Sequence, residues 1–365
     1  MSGGVDSSVA AVLLKRVGFV LPQGQGNPER SRRVDVVGVF MKLHNFSLGA
    51  EKRARKIAKI LKIPFLSLDL RKEFKKRIID YFLEGYKRGI TPNPCVVCNK
   101  EIKFGLLLEK ALALDVDFVA TGHYARTNFG KNLTIVRFLP KIKLLRAKDK
   151  NKDQSYFLWM LNQKQLRKIL FPVGNYTKTQ VRKLAKKFGL PVFKIPESQE
   201  ICFIQTTINE FLRKYLREKR GNIVNKEGKV LGQHQGLWFY TIGQRKGIGF
   251  SGGPTFAKAT VGKPYYVLDK DLKKNLLIVT NNEKDLYKKE LIAKNVNWIL
   301  DKTPRLPLKV MAKIRYRHKP ALATIGRLKS KVYSLKFKAA QRAITPGQSV
   351  VFYQGQELLG GGIIC

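Results

Sequence analysis

An α/β architecture, a parallel sheet flanked by helices and followed by all-β modules, is predicted for this 365-residue chain by three observations. Strand-like and helix-like runs alternate to about residue 205, the order that a parallel sheet with crossover helices requires. A Gly-Gly pair opens the first helical run, where folds of this kind receive an anion. From Gly221 the texture changes to short β-type runs broken by glycine and charged turns, as in barrels and sandwiches. The expected division is an α/β domain over 1–205, a small central domain over 206–272 and a C-terminal β-barrel over 273–365.

The first element is the loop Met1-Ser2-Gly3-Gly4-Val5-Asp6-Ser7-Ser8 and the helix it feeds, whose apolar positions are Val9, Ala10, Val12, Leu13, Leu14 and Val17. Glycines let a backbone approach an anion. Asp6, Ser7 and Ser8 are N-cap types, so the unsatisfied N–H groups and the positive dipole end of the helix would face the loop. That arrangement suits a pyrophosphate. A P-loop would need Lys-Ser/Thr after its second glycine, and no dinucleotide fingerprint follows. The plain alternative is a surface turn that caps a helix. α/β nucleotide sites place such a loop after a buried strand, so either the start is late or the sheet lacks a central strand.

Residues 18–33 have no core and several breakers, and 24–33 read as an exposed insertion. A β-rich run over 34–40, a basic helix over 51–61, a strand over 65–70 and a helix over 72–87 follow. The Pro-rich stretch Thr91-Pro92-Asn93-Pro94-Cys95-Val96-Val97-Cys98-Asn99 precedes a helix over 101–113, and a buried strand over 117–121 ends on Gly122-His123-Tyr124. Sites in such sheets lie beyond the carboxyl ends of strands, where Met41, Gly122 and His123 fall. Residues 166–188 read as helical with a break at Phe171-Pro172. Strand-type runs at 238–242, 265–268, 276–280, 309–316, 331–337 and 349–353 complete the chain.

Composition narrows the partners. A formal charge of +45, from 71 Lys+Arg against 26 Asp+Glu, exceeds what solubility needs and points to a polyanion, nucleic acid first, although a basic solvated surface is the bland reading. No apolar run reaches the ~18 residues that span a bilayer and no signal peptide precedes the loop, so the expectation is cytoplasmic, with no membrane partner. Four cysteines do not make a disulfide scaffold in a chain of this length; Cys95, Cys98, Cys202 and Cys365 read as reduced, with Cys365 a small buried hydrophobe.

Cys95 and Cys98 form a Cys-x-x-Cys without the second pair that completes a structural zinc site. A catalytic thiol, a redox pair, or a three-cysteine cluster completed by Cys202 remain. Lys100, Lys103 and a helix beginning at Asn99 would lower the Cys98 thiol pKa. Nothing in its spacing assigns Cys202.

Six blocks together resemble one family. They are Ser2-Gly3-Gly4-Val5-Asp6-Ser7-Ser8, the 91–99 stretch, Ala120-Thr121-Gly122-His123-Tyr124-Ala125, Lys152-Asp153-Gln154-Ser155-Tyr156-Phe157-Leu158, Ser198-Gln199-Glu200-Ile201-Cys202-Phe203 and Tyr240-Thr241-Ile242-Gly243-Gln244-Arg245-Lys246-Gly247. The first is similar to the SGGxDS loop of the ATP pyrophosphatases, and the set, in this order, resembles the bacterial tRNA-specific 2-thiouridylases over nearly the whole chain. The resemblance implies an ATP pyrophosphatase domain, a central domain and a β-barrel, and an ATP-dependent exchange of oxygen for sulfur at C2 of uridine 34 in tRNA. It implies ATP, with Mg2+, at Ser2, Gly3, Gly4, Val5, Asp6, Ser7, Met41 and Gly122. Cys202 would carry a persulfide loaded by a sulfur-relay or cysteine desulfurase partner, and Cys98 would be the second catalytic thiol. Asn93, Pro94 and Cys95 would meet the target base, Lys152, Asp153 and Gln154 the anticodon loop, and His123, Arg315, Tyr316 and Gln348 would add tRNA contacts, in a protein expected to be a monomer. The physics agrees: a base must be splayed from its stack to be modified, and amide, aromatic and basic side chains grip it.

Three features depart from the family pattern: the absent first strand, the insertion at 24–33, and Cys95 where some members carry Asp. An iron–sulfur cluster on Cys95, Cys98 and Cys202 is the alternative to a packing role for Cys95; packing is preferred because persulfide transfer needs Cys98 and Cys202 free to move. Two rival readings are another adenylating synthase on the same fold, which needs neither the charge nor the barrel, and an inactive tRNA-binding relative.

Overall fold

The computed structural model describes residues 1–17, with backbone only at 16 and 17, and 35–129, 139–195, 201–248 and 264–365. The insertion at 24–33 and the motif residues Ser198, Gln199 and Glu200 lie outside the described residues.

The first helix, Val5–Val12, continues as a π-helical turn over Leu13–Val17. Its apolar face buries Val5, Val9 and Val12 against Val181 and Ala185 of the helix Lys178–Lys187, itself fixed by a capping box between Thr177 and Gln180. The parallel sheet forms in two pieces among the described residues. Strands β1 (Gly38–Lys42) and β2 (Phe65–Asp69) pair in parallel. Strands β3 (Val119–Ala120) and β6 (Ile169–Leu170) form a second parallel pair. Between them in sequence lies the hairpin of β4 (Ala125–Thr127) and β5 (Leu144–Arg146). The helical expectation for 166–188 is thereby corrected: only Gln163–Leu166 and Lys178–Lys187 are helical, and Ile169 and Leu170, both buried and paired with β3, are extended. A short apolar run carries no period that distinguishes helix from strand.

The helix over 71–87 buries Phe74, Ile78, Phe82 and Tyr86, a stripe at four-residue spacing. Phe82 packs edge-on against Phe203 at 5.4 Å and Phe211 at 6.0 Å between ring centroids. Burial on this scale makes Phe82→Ala worth about 3–5 kcal/mol. The same cluster takes in Ile223, Val267 and Leu277 of a four-stranded sheet ordered β8 (Val230–His234), β7 (Gly221–Val224), β10 (Leu276–Thr280), β9 (Tyr266–Asp271). Because β10 pairs with β7 and β9, the expected division between 272 and 273 falls inside the β9–β10 hairpin. The strand expected over 238–242 is instead a 3-10 turn, Leu237–Phe239.

Six antiparallel strands close the C-terminal barrel: β11 (Tyr287–Trp298), β14 (Val332–Arg342), β13 (Ala321–Lys329), β12 (Leu308–Lys313), β15 (Ser349–Gln354) and β16 (Glu357–Ile364), with β16 returning to β11. Val310, Ala323, Ile325, Leu335 and Phe337 fill it. The β4–β5 hairpin adds to β16 through Leu358↔Leu144, so a piece of the α/β domain is hydrogen-bonded to the barrel wall. No helix among the described residues is long and apolar enough to cross a membrane.

Candidate active site

The glycine loop turns into its helix with Gly4, not Asp6, Ser7 or Ser8, at the N-cap. The hydroxyls expected to cap are turned to the loop itself: Ser7 Oγ donates to Gly4 O at 3.1 Å and accepts from Ser2 N at 3.0 Å, and Ser8 Oγ donates to Gly4 O at 2.8 Å. With no side chain folded over the N-cap, the first amides of the helix are left for an anion. Gly3 has φ +71°, and a Cβ there would meet Ala50 O at 2.3 Å. Gly122, past the end of β3, sits directly on the loop, where a Cβ would lie 2.6 Å from Ser7 N and 2.7 Å from Asp6 C. Met41 lies at the carboxyl end of β1 beside Leu68, partly buried.

Asp6 is held from two sides. Lys178 Nζ reaches both carboxylate oxygens, at 2.8 and 2.9 Å, and Tyr124 Oη donates to Oδ1 at 2.8 Å. Gln154 Oε1 accepts from Tyr124 N at 3.0 Å, and Lys178 N donates to Asp149 Oδ2 at 2.9 Å. Lys178 and Tyr124 are the residues that sequence reasoning missed. Their signal was weak: a lysine at the start of a basic helix and a tyrosine after a Gly-His pair.

The second half of the site is built on one helix. Asn93 accepts from Val96 N at 3.4 Å as N-cap, and the helix runs without interruption through Pro94–Cys98, a π-helical segment Asn99–Leu106 and Leu107–Leu112. It therefore starts before the cysteines, and the expected start at Asn99 is corrected: proline at N1 and an asparagine cap are stronger start signals. Cys98 is 6% exposed and Cys95 half-buried, while Cys202 is exposed and Cys365 is exposed rather than buried. Burial pushes the Cys98 thiol up to about 12 and Cys95 up to about 11, and raises Cys202 as well. The expectation of a lowered Cys98 pKa is overturned because desolvation outweighs charge and the thiol has no helix start beneath it. Lys100, half of the expected perturber pair, is spent on Glu101 at 3.2 Å. Cys95 and Cys202 each act electrostatically on Cys98, and Lys103 acts on all three thiols.

His123 joins the two halves. It follows Gly122, hydrogen-bonds Thr121 Oγ1 through Nδ1 at 2.9 Å, and is kept neutral because burial, and then Lys103, pull its pKa well below the ordinary value. Phe104 of the cysteine helix lies 5.8 Å from its ring. Gly122 thus touches the loop, while Lys103 acts on both His123 and the cysteines.

The other expected tRNA residues fall in two groups. Asp153 is buried, its Oδ1 accepting from Ala147 N and Ser155 N at 3.1 Å each; Lys152 and Gln154 are half-buried, and Gln154 spends its Oε1 on Tyr124. Arg315 donates to Ile242 O at 3.1 Å, to Ala343 O at 2.9 Å and to Thr345 Oγ1, and Gln348 Nε2 donates to Thr91 O at 2.8 Å. Both pin the barrel to its neighbours. Tyr316 stacks at a tilt 4.5 Å from Phe157. Among the described residues no set of three His, Cys, Asp or Glu side chains is close enough to hold a metal ion.

A helix N-terminus opened by glycines beside strand ends, joined to a cluster of thiols, defines the class of α/β enzymes that use an adenine nucleotide through a pyrophosphate-holding loop. Comparison with known proteins gives the family. Residues 1–206 match the family described as tRNA methyl transferase HUP domain, 209–281 the tRNA methyl transferase PRC-barrel domain, and 288–364 the aminomethyltransferase beta-barrel domain. The chain is 44% identical to the tRNA-specific 2-thiouridylase MnmA of Clostridioides difficile (strain 630), covering 100% of this chain and 96% of the relative. It is 43% identical to the enzyme of that name from Carboxydothermus hydrogenoformans, over 100% and 96%, and 42% identical to that of Syntrophomonas wolfei, over 100% and 98%. The chain belongs to the tRNA-specific 2-thiouridylase family.

Proposed function

We propose that this chain is a tRNA sulfurtransferase that uses ATP to replace the C2 oxygen of uridine 34 by sulfur. The observation that carries the reading is the Gly122-His123 step: Gly122 packs on Asp6 and Ser7 of the nucleotide loop, while His123 shares Lys103 with the three thiols. A nucleotide and a nucleophilic sulfur are thereby offered to one base.

The chemistry follows from those positions. With ATP on Ser2, Gly3, Gly4, Val5, Asp6, Ser7, Met41 and Gly122, the C2 oxygen attacks the α-phosphate, pyrophosphate leaves, and the base becomes an O-adenylate whose leaving group is AMP. The loop amides and helix dipole take up charge on the departing pyrophosphate. Asp6 is already engaged by Lys178 and Tyr124, and no step here depends on a magnesium ion. Cys202, which is exposed, is where a sulfur-relay partner can load a persulfide. The terminal sulfur, deprotonated, attacks C2; the C–S bond forms and AMP departs with the oxygen. Cys98 as thiolate then attacks Cys202 Sγ, the bond between Sγ and the transferred sulfur breaks, and that sulfur remains on C2 as the thiocarbonyl. The product disulfide joins Cys98 and Cys202, and two equivalents of an external thiol reduce it for the next cycle, leaving as their own disulfide.

On this reading Asn93, Pro94 and Cys95 would meet the splayed base, the segment Lys152, Asp153 and Gln154 would meet the anticodon loop, and His123, Arg315, Tyr316 and Gln348 would add tRNA contacts. The packing role for Cys95 is retained over an iron–sulfur cluster.

The test is tRNA-dependent release of pyrophosphate from ATP by the Cys202→Ser variant. Adenylation without sulfur transfer is the expected outcome; no tRNA-dependent pyrophosphate with tRNA bound would overturn the reading.

A further inference from the structure

Lys103 is a half-buried cation with neither an ion pair nor a hydrogen bond among the described residues, unlike its neighbour Lys100 on Glu101. A lysine so placed is costly unless an anion arrives. Its position is not an accident of an ordinary helix. Five residues along an α-helix lie about 140° round the axis, which would turn Lys103 away from Cys98. Here Asn99–Leu106 is π-helical, closed by i→i+5 hydrogen bonds, so residue 103 returns over residue 98. Gly105 permits the widened turn, since a Cβ there would lie 2.8 Å from Lys100 O. Cys95 and Cys98, three residues apart, share that face.

We propose that Lys103 is the counter-cation for the sulfur anions formed at Cys202 and Cys98, brought into register by the π-helical segment. The identity of the anions rests on the thiolation reading above; the ammonium's effect on the thiols does not. Both sulfur steps begin from an anion at thiols whose burial favours the neutral form, and among the described residues Lys103 is the positive charge that reaches all three cysteines. Among the described residues the other titratable groups that act on the thiols are the cysteines themselves, and none of them supplies positive charge. Lys103 thus acts through the cysteines as a positioning residue. Burial, and then Lys103, hold the His123 imidazole unprotonated, so the cation stays with the sulfur.

The experiment uses the full chain, reduced, with iodoacetamide as probe and peptide mass spectrometry to read Cys202 alone, in the wild type, Lys103→Met and Lys103→Arg. The alkylation rate is followed between about pH 6 and 11, where thiolate fraction sets the rate. In Lys103→Met the midpoint should rise by about one unit, about tenfold fewer thiolates at a fixed pH below it, while Lys103→Arg stays near the wild type. ATP binding and thermal unfolding monitor the fold of each variant. A wild-type midpoint in Lys103→Met, or an equal rise in both variants, would overturn the proposal, the latter by assigning Lys103 a packing role. If the wild type fails to thiolate tRNA, the function falls separately, and the alkylation midpoints still decide on Lys103.

Discussion

Gly122→Ala isolates the contact between β3 and the nucleotide loop. No positive φ is required at Gly122, so alanine meets no backbone strain there and the change is purely steric. The new Cβ would stand 2.6 Å from Ser7 N, 2.7 Å from Asp6 C and 3.0 Å from Asp6 Cβ. These are mostly backbone atoms, which cannot rotate away, so the loop must retreat by about 0.8 Å to reach ordinary contact. Overpacking of this kind costs about 1–3 kcal/mol. If the proposed placement of ATP holds, the displaced amides are those that would meet the phosphates, and ATP affinity should fall about tenfold to a hundredfold. Calorimetric titration with ATP measures it, alongside thermal unfolding. Gly189→Ala is the control: φ is +64° with nothing within 4 Å of the new Cβ, so it should cost stability and leave ATP binding alone. A folded Gly122→Ala variant that binds ATP as the wild type does would refute the placement of the nucleotide on this loop.

Three further outcomes are expected. Affinity for tRNA should fall by about two or more orders of magnitude between about 50 and 200 mM salt if about six phosphates are neutralised, as the +45 charge suggests, and a flat response in filter binding would contradict an electrostatic interface. Cys202→Ser and Cys98→Ser should each abolish thiolation while ATP and tRNA binding persist, and wild-type turnover by either would remove that residue from the sulfur route. Cys95→Ala should lower the rate only modestly, since Asn93 still caps the helix and Pro94 stays buried; iron and sulfide present in anaerobically purified wild type and lost together with activity in the variant would instead establish a cluster.

What the sequence carried was local. Two glycines before a helix, a Pro-rich stretch before two cysteines and a Gly-His pair after a strand are short-range signals, and each lies at the candidate site. What it hid was long-range or energetic. Asp6 and Lys178 are 172 positions apart, and no spacing rule pairs them. Cys98 next to lysines reads as an activated thiol, yet its burial wins, because exposure is a property of the whole fold. The β4–β5 hairpin reads as part of the α/β domain and is so by sequence, but its free edge is completed by β16, more than two hundred residues on. The π-helical turn has only Gly105 to announce it, and glycines sit inside regular helices wherever close packing calls for them. Asp153 shows the converse case, where a polar residue in a charged motif reads as exposed but is buried, its Oδ1 accepting from two backbone amides.

Delivery of sulfur to one base of tRNA can be read directly. Purified protein, ATP, a persulfide-loaded sulfur donor and unmodified tRNA are incubated, the tRNA is digested, and nucleosides and anticodon fragments are read by mass spectrometry. The predicted result is 2-thiouridine at position 34, dependent on ATP and on Cys202. Unchanged uridine at that position, with ATP and tRNA both bound and the donor active, would contradict the proposed function.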